Sequence, residues 1–228
     1  LRLDLEIARL FEALEKQVGK DFIVFLTADH AVVPVPQWLI DHKLPGGYTF
    51  LEQNMLNLAA HVQAEFGADF ILTEENDQIY LNEVLLEFMG VNKNTVERFI
   101  AAVVRKWDGV KYVYTTEDMR RANGADGLTE MIRNGYDPKR SGNVLFVLES
   151  GYLGKSIDDA ASRKGTSHGS AYSYDTHVPL LWYGKNIPKK QVFERIEIID
   201  IVPTLSQMLN LQNPSCTMGL PILPVLTK

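Results

Sequence analysis

A single cysteine, Cys216, stands among the 228 residues. One thiol cannot close an internal disulfide, nor can it furnish a thiolate zinc cluster. Long apolar runs are missing as well: none reaches the roughly 18–20 residues a helix needs to cross a bilayer. Basic excess is also absent. Lys and Arg number 23 against 29 Asp and Glu, a formal net charge of −6, which argues against nucleic acid as a partner. No signal-peptide pattern opens the chain, although a sequence beginning at Leu1 rather than Met says nothing about its own leader. What the composition does supply is 46% hydrophobic residues, enough at this length to bury a substantial core in one large or two small domains.

Histidine is scarce too, with five in all, and their placement is informative. Phe22-Ile23-Val24-Phe25-Leu26-Thr27 predicts a strand buried on both faces. Ala28-Asp29-His30 follows where that strand should emerge. In open α/β sheets the carboxyl ends of strands are where ligand sites collect. Asp offers a hard oxygen and His a borderline nitrogen, a mixture that zinc accepts. Far downstream, Gly165-Thr166-Ser167-His168-Gly169-Ser170 places a second histidine in a flexible loop. A second buried strand is predicted just after it, over 178–183, so the loop can reach across the sheet edge toward Asp29 and His30.

The pattern between these segments is α/β at the ends and different in the middle. Leu3, Ile7, Leu10, Phe11, Leu14 and Val18 recur at helical spacing, and Gly19 closes that helix. Residues 34–47, broken by Pro34, Pro36, Pro45 and Gly46-Gly47, predict a loop. A helix is predicted over 50–66, a hairpin over 69–81 and a helix from Thr95 to Trp107 with Asn94 as its cap. A strand over 110–114, helical patches at 116–122 and 127–134, and a buried strand over 143–148 complete the middle. The stretch 151–177 reads as a long functional loop. Ile196–Ile199 predicts a strand, Asp200 the cap of a short helix, and the tail from Asn213 an extended coil. The expected architecture is an α/β core formed by 1–33 and 143–228, with a small α+β subdomain, 34–142, inserted into it.

Four motifs together give this chain a family likeness: T-A-D-H-A at 27–31, S-H-G-S at 167–170, Y-D-T-H-V-P-L-L-W-Y-G at 174–184 and I-I-D-I-V-P-T-L at 198–205. With them it resembles the C-terminal half of an alkaline phosphatase superfamily enzyme. The nearest types are the bacterial Thr-nucleophile alkaline phosphatases and the type I phosphodiesterase/nucleotide pyrophosphatase group. The resemblance implies a partial alkaline-phosphatase-like sheet and a two-zinc phosphoryl-transfer site. Asp29 and His30 match the pair on the zinc that activates the nucleophile. His168 matches the lone histidine of the zinc that steadies the leaving-group oxygen. One cation lowers the pKa of the attacking hydroxyl and the other neutralises the departing oxygen.

Two departures stand out. Ala31 follows the Asp-His pair where many relatives carry Gly. More importantly, the family needs an N-terminal Asp ligand, a Thr or Ser nucleophile and an Asp-x-x-x-His pair, and no Asp-x-x-x-His occurs in this sequence. The resemblance therefore puts the nucleophile upstream of Leu1, leaves no catalytic residue in the chain itself, and makes the chain a fragment expected to be inactive alone. It also implies phosphate esters as substrates, a covalent phospho-Thr or phospho-Ser intermediate, and export to the periplasm. The inserted subdomain would then cap the active site.

Other readings stay open. A phosphodiesterase or nucleotide pyrophosphatase would differ around the nucleophile, and a non-catalytic binding module could keep the fold alone. Sulfatases use a different metal and match the motifs less well. His177, Asp175 and Thr166 lie beside the candidate ligands and could orient them, or simply fix their loops. His42 and His61 lack companion ligands and read as structural or exposed. Lys139 and Arg140 read as a solvated turn, as do the carboxylate pairs Glu74-Glu75 and Asp158-Asp159.

Overall fold

The computed structural model describes residues 2–122, 127–158, 161 and 163–226. In chain order the elements are α1 (Arg2–Val18), β1 (Ile23–Thr27), α2 (Pro36–Asp41), β2 (Gly47–Phe50), α3 (Leu51–Phe66), β3 (Ile71–Glu75) and β4 (Gln78–Leu81). Then come α4 (Glu83–Met89), α5 (Lys93–Val104), β5 (Val110–Thr115), α6 (Thr116–Arg121), α7 (Gly127–Gly135), β6 (Val144–Leu148) and β7 (Tyr152–Lys155). Last are α8 (Ser173–Thr176), β8 (Leu180–Gly184), a 3₁₀ turn (Ile198–Asp200), α9 (Ile201–Met208) and α10 (Leu223–Leu226). The mixed α/β class expected from the sequence is what forms. No helix among the described residues is long and apolar enough to cross a membrane.

The chain divides into two compact units, Leu1–Ala28 with Pro179–Lys228, and Asp29–Val178. In the first, α1 ends at Gly19, whose φ of +72° closes the helix in the left-handed region. Strands β1 and β8 pair antiparallel, Ile23 opposite Gly184 and Thr27 opposite Leu180. Phe11 stacks on Tyr183 with ring centroids 4.5 Å apart, docking α1 on this ribbon. The expectation that both strands are buried on both faces does not hold. Phe25 is 40% and Leu181 61% exposed, because each strand has a single neighbour among the described residues. The strand expected at 196–199 is also replaced. Asp200 Oδ2 accepts the Glu197 N–H at 2.9 Å and draws the chain into the 3₁₀ turn. Its other oxygen accepts the Leu220 N–H at 2.8 Å, so Asp200 ties down the tail rather than capping α9 with its side chain. That tail is not wholly extended, since it carries α10.

The second unit is built on a four-stranded antiparallel sheet, β3-β4-β6-β5. The run Val144-Leu145-Phe146-Val147-Leu148 is buried throughout because it lies between β4 and β5. Leu58 and Val62 of α3 pack with Ile100 and Val104 of α5 against Ile79 and Val144 in one cluster. Beside it, β2 and β7 form a parallel pair. The division expected from sequence, 1–33 with 143–228 against 34–142, differs from these units. The reason is that β6 pairs with β4 and β5.

Several local expectations are corrected by turn and cap chemistry. The 34–47 stretch holds α2 and the start of β2. Pro36 enters the first turn of that helix, where its missing N–H has no intrahelical role. Asn92, not Asn94, caps α5 by accepting the Thr95 N–H at 3.1 Å. Helix α4, not anticipated, starts where Asn82 accepts the Leu85 N–H at 3.0 Å. The 151–177 stretch contains β7 and α8. Thr115 opens α6 with a reciprocal box, accepting from Asp118 N at 3.2 Å while Asp118 Oδ2 accepts from Thr115 N at 2.9 Å. Thr115→Ala is expected to lower stability by about 1 kcal/mol in urea unfolding.

Candidate functional site

The segment that leaves β1 and the Gly/Ser loop before β8 meet within the second unit. Ser167 O accepts the Val33 N–H at 3.0 Å, and Asp175 O accepts the Ala31 N–H at 2.7 Å. The Thr166 hydroxyl donates to Val33 O. These bonds run 31–33 alongside 166–168 and bring two of the three expected ligands into contact. The imidazoles of His30 and His168 stack face to face, centroids 3.4 Å apart and planes 10° apart.

Asp29 sits beside His30. Its Oδ1 accepts the His30 N–H at 3.1 Å, and its Oδ2 lies 3.7 Å from His30 Nε2. His30 Nδ1 is 2.7 Å from Ala31 O. A carbonyl only accepts, so in the neutral ring Nδ1 carries the hydrogen and Nε2 keeps a lone pair for a ligand. The Asp29 carboxylate is 88% exposed. One carboxylate and two imidazoles form a donor set zinc accepts. Among the described residues, however, no group of three or more His, Cys, Asp or Glu side chains is arranged to hold a metal ion.

Asp175 is the best-buried member of the neighbourhood, 2% exposed. Helix α8 delivers it, and its Oδ2 accepts the N–H groups of Gly169 and Ser170, both at 2.7 Å. Its backbone carbonyl holds Ala31. One residue therefore ties the segment after His30 to the segment after His168. Its Oδ1 is buried with no hydrogen-bond donor among the described residues. Thr166 fixes the loop through its hydroxyl, whereas the His177 side chain is exposed and makes no hydrogen bond among the described residues.

Next to His168 opens a cleft of about 620 Å³. Ser167, His168 and Asp175 line it together with Glu74 and Asp77 of the β3–β4 turn, Glu149 of the β6–β7 turn, and Tyr152, Tyr172 and Tyr174. Its lining includes no Lys or Arg among the described residues. The Tyr172 hydroxyl donates to Leu148 O at 2.9 Å and the Tyr174 hydroxyl accepts from Gly151 N at 3.2 Å. Their rings stack with centroids 5.5 Å apart. The sequence alone predicts a solvated pair at Glu74-Glu75 and gives Asp77 no role beyond the hairpin turn. In the fold, Glu74 lines the cleft and its Oε1 accepts the Asp77 N–H at 3.0 Å. The adjacent Asn76-Asp77 left-handed turn was the available signal, with φ of 53° and 59°.

Burial, reinforced by the neighbouring Glu74 carboxylate, pushes the Asp77 carboxyl from 3.8 up to about 7. Between those values the folded chain holds a proton that the unfolded chain has released. Stability from this group is thus fully present below pH 4 and falls as pH rises toward 7. Asp77→Asn, which tolerates the left-handed turn, should remove that slope. We expect the wild type to lose about 2–3 kcal/mol relative to the variant across this window, discounted for partial water access. Urea unfolding of both proteins at pH 4 and pH 7.5 measures it.

The remaining candidates stay structural. His42 Nδ1 lies 2.8 Å from Trp38 O with its ring on Trp38, and His61 is exposed. Asp137 Oδ1 accepts from Lys139 N at 2.8 Å and Arg140 N at 3.2 Å, forming a surface turn. Asp158 pairs with Arg163 at 2.6 Å, while Asp159 lies outside the described residues.

No family model matches the chain. Similarity to known proteins is nonetheless extensive. The chain is 34% identical over 228 residues to alkaline phosphatase PafA of Elizabethkingia meningoseptica, covering 99% of this chain and 41% of that protein. It is 32% identical to a protein named calcium-transporting ATPase from Myroides odoratus, covering 97% and 40%. With alkaline phosphatase PhoV of Synechococcus elongatus it shares 29% identity, covering 96% and 38%. The crystal structure of wild-type alkaline phosphatase PafA superposes with a TM-score of 0.89 at 33% identity, covering 100% of this chain and 42% of that one. The chain belongs to the alkaline phosphatase superfamily. It spans about two-fifths of the length of these relatives.

Proposed function

We propose that this chain contributes part of a two-zinc centre that hydrolyses phosphate monoesters. The observation that carries the reading is the stacking of His30 on His168. Parallel imidazoles with centroids 3.4 Å apart bring the two expected histidine ligands together beside the Asp29 carboxylate. Each would serve its own ion, as a two-metal phosphatase requires. Asp29 and His30 would hold the ion on the nucleophile side, and His168 the ion on the leaving-group side. Zinc in those positions supplies charge neutralisation and a more acidic attacking hydroxyl.

This chain's own contribution is positional. Ala31 O fixes the His30 ring, and Asp175 fixes the backbone that follows His168. The nucleophile, a Thr or Ser that becomes phosphorylated, and the remaining zinc ligands would lie in the part of the relatives' length that the chain does not span. Residues 34–142 would be the insertion that shapes access to the centre, with Thr166 in a supporting position beside it. The site would work in the periplasm or an equally external compartment.

The experiment is hydrolysis of p-nitrophenyl phosphate, with added zinc, by the 228-residue chain and by the product of the complete reading frame. Turnover only by the complete product supports the proposal. Turnover by the chain alone places a nucleophile within it and rejects the split site. A complete product that prefers bis-p-nitrophenyl phosphate is a diesterase instead.

A further inference from the structure

We propose that Tyr48 is a positioning residue for the histidine pair, its hydroxyl setting the loop that leads into His168 against the segment that follows His30. The geometry stands by itself, whereas its consequence for turnover rests on the two-zinc reading above. Tyr48 lies on β2 opposite Leu153 of β7 and is 7% exposed. Its ring packs with Val33 and Leu153, with Phe50 and Tyr174 alongside. A phenylalanine would fill that small core equally well. What Phe would lack is the hydroxyl, which donates once and also accepts. Both roles are taken: it accepts the Gln37 N–H at 3.1 Å and donates to Arg163 O at 2.8 Å.

The first bond replaces a missing cap. N–H groups in the first turn of a helix have no intrahelical acceptor, and Val35, at the cap of α2, makes no side-chain capping bond. Tyr48 reaches over from β2 and fixes the start of α2, a short way beyond His30. The second bond holds Arg163, a few residues before His168, where the Arg163 guanidinium also pairs with Asp158 at 2.6 Å. Between these anchors the two segments bond directly. The Thr166 hydroxyl donates to Val33 O, and Ser167 O accepts the Val33 N–H at 3.0 Å. Val33 itself lies in the Tyr48 core. Asp175 holds the other flank of the same loop through Gly169 and Ser170. His168 is therefore anchored before and after, and Tyr48 ties the leading anchor back to the His30 side. Groups that orient a metal ligand matter by about 10–100-fold. Tyr48 acts through backbone, which places it at the low end.

The test is Tyr48→Phe, which keeps the ring in its core and removes both bonds. In the 228-residue chain without metal, the stacked rings of His30 and His168 shield one another, so their carbon-bound protons should resonate upfield of those of His61. Tyr48→Phe should abolish most of that displacement. Thr115→Ala, which removes the α6 cap within the same compact unit, is the control. It should cost similar stability and leave the displacement in place. In the complete zinc-loaded protein, Tyr48→Phe should lower kcat for p-nitrophenyl phosphate about ten-fold with KM little changed, while Thr115→Ala changes neither. Imidazole shifts that stay put in Tyr48→Phe overturn the proposal, as do shifts that Thr115→Ala moves equally. Full turnover by a Tyr48→Phe protein whose shifts have moved overturns it too. Moved shifts in Tyr48→Phe alone, with no phosphate ester hydrolysed by the unsubstituted complete protein, would sink the phosphatase reading and leave the positioning role standing.

Discussion

His168→Ala in the complete protein is expected to lower kcat/KM for a phosphate monoester by about 10³-fold, with little change in stability. The two parts follow from different observations. In the proposed centre His168 is the one ligand this chain offers to the leaving-group ion. Losing the charge that neutralises a departing oxygen removes stabilisation realised mainly in the transition state, worth about 10²–10³-fold or more. Yet the His168 side chain is exposed, and its loop is held by backbone bonds from Ser167, Gly169 and Ser170. Surface substitutions of that kind usually shift stability by no more than about 0.5 kcal/mol. His177→Ala is the control, because His177 is equally exposed, makes no side-chain hydrogen bond among the described residues, and does not line the cleft. Steady-state kinetics with thermal melts on both variants decides the matter. A His168→Ala enzyme that turns over like His177→Ala would remove His168 from the centre.

The contrast between those two histidines shows what a sequence can and cannot supply. The meeting of His30 and His168, with Asp29 alongside, was legible because each sits in a motif whose neighbours are themselves distinctive. Helices α1 and α3, the β3–β4 hairpin and β6 were legible because their apolar periods run long enough to outweigh local noise. Short elements were not. Helix α4 has seven residues and is announced mainly by the Asn82 cap, and α2 hides behind a proline that normally reads as a breaker. Strand pairing was harder still. Nothing in 143–148 says that it joins the hairpin and β5 rather than β1, since a uniformly apolar run fits any sheet centre. The cleft escaped for a related reason. Glu74 and Asp77 lie some 90 residues from His168 in the sequence, and only the fold puts them around one cavity. Adjacent carboxylates in a hairpin turn are ordinary until burial raises the energy of keeping them charged.

Asp175→Ala should separate the two histidine segments that one residue now joins. Its backbone carbonyl, which survives the substitution, would go on accepting from Ala31 and holding the His30 side. Its carboxylate, which is lost, takes the bonds from Gly169 and Ser170 with it. Hydrogen bonds to a charged acceptor contribute about 1.5–3 kcal/mol each, and release of the unpaired Oδ1 from burial offsets part of that sum. A net loss of about 2–3 kcal/mol in urea unfolding is therefore expected. Activity of the complete zinc-loaded protein should fall about 10²-fold, the scale typical of groups that orient a metal ligand. The asymmetry is the distinctive part. Imidazole ¹⁵N NMR of the 228-residue chain, recorded without metal, should show the His168 ring averaged by motion while His30 keeps the signature of its Nδ1 bond to Ala31. Asp175→Asn, whose amide oxygen can still accept from Gly169 and Ser170, should restore most of the order at His168. Equal loss of order at both rings would mean that Asp175 acts only through general stability, because nothing in its side-chain bonds reaches His30.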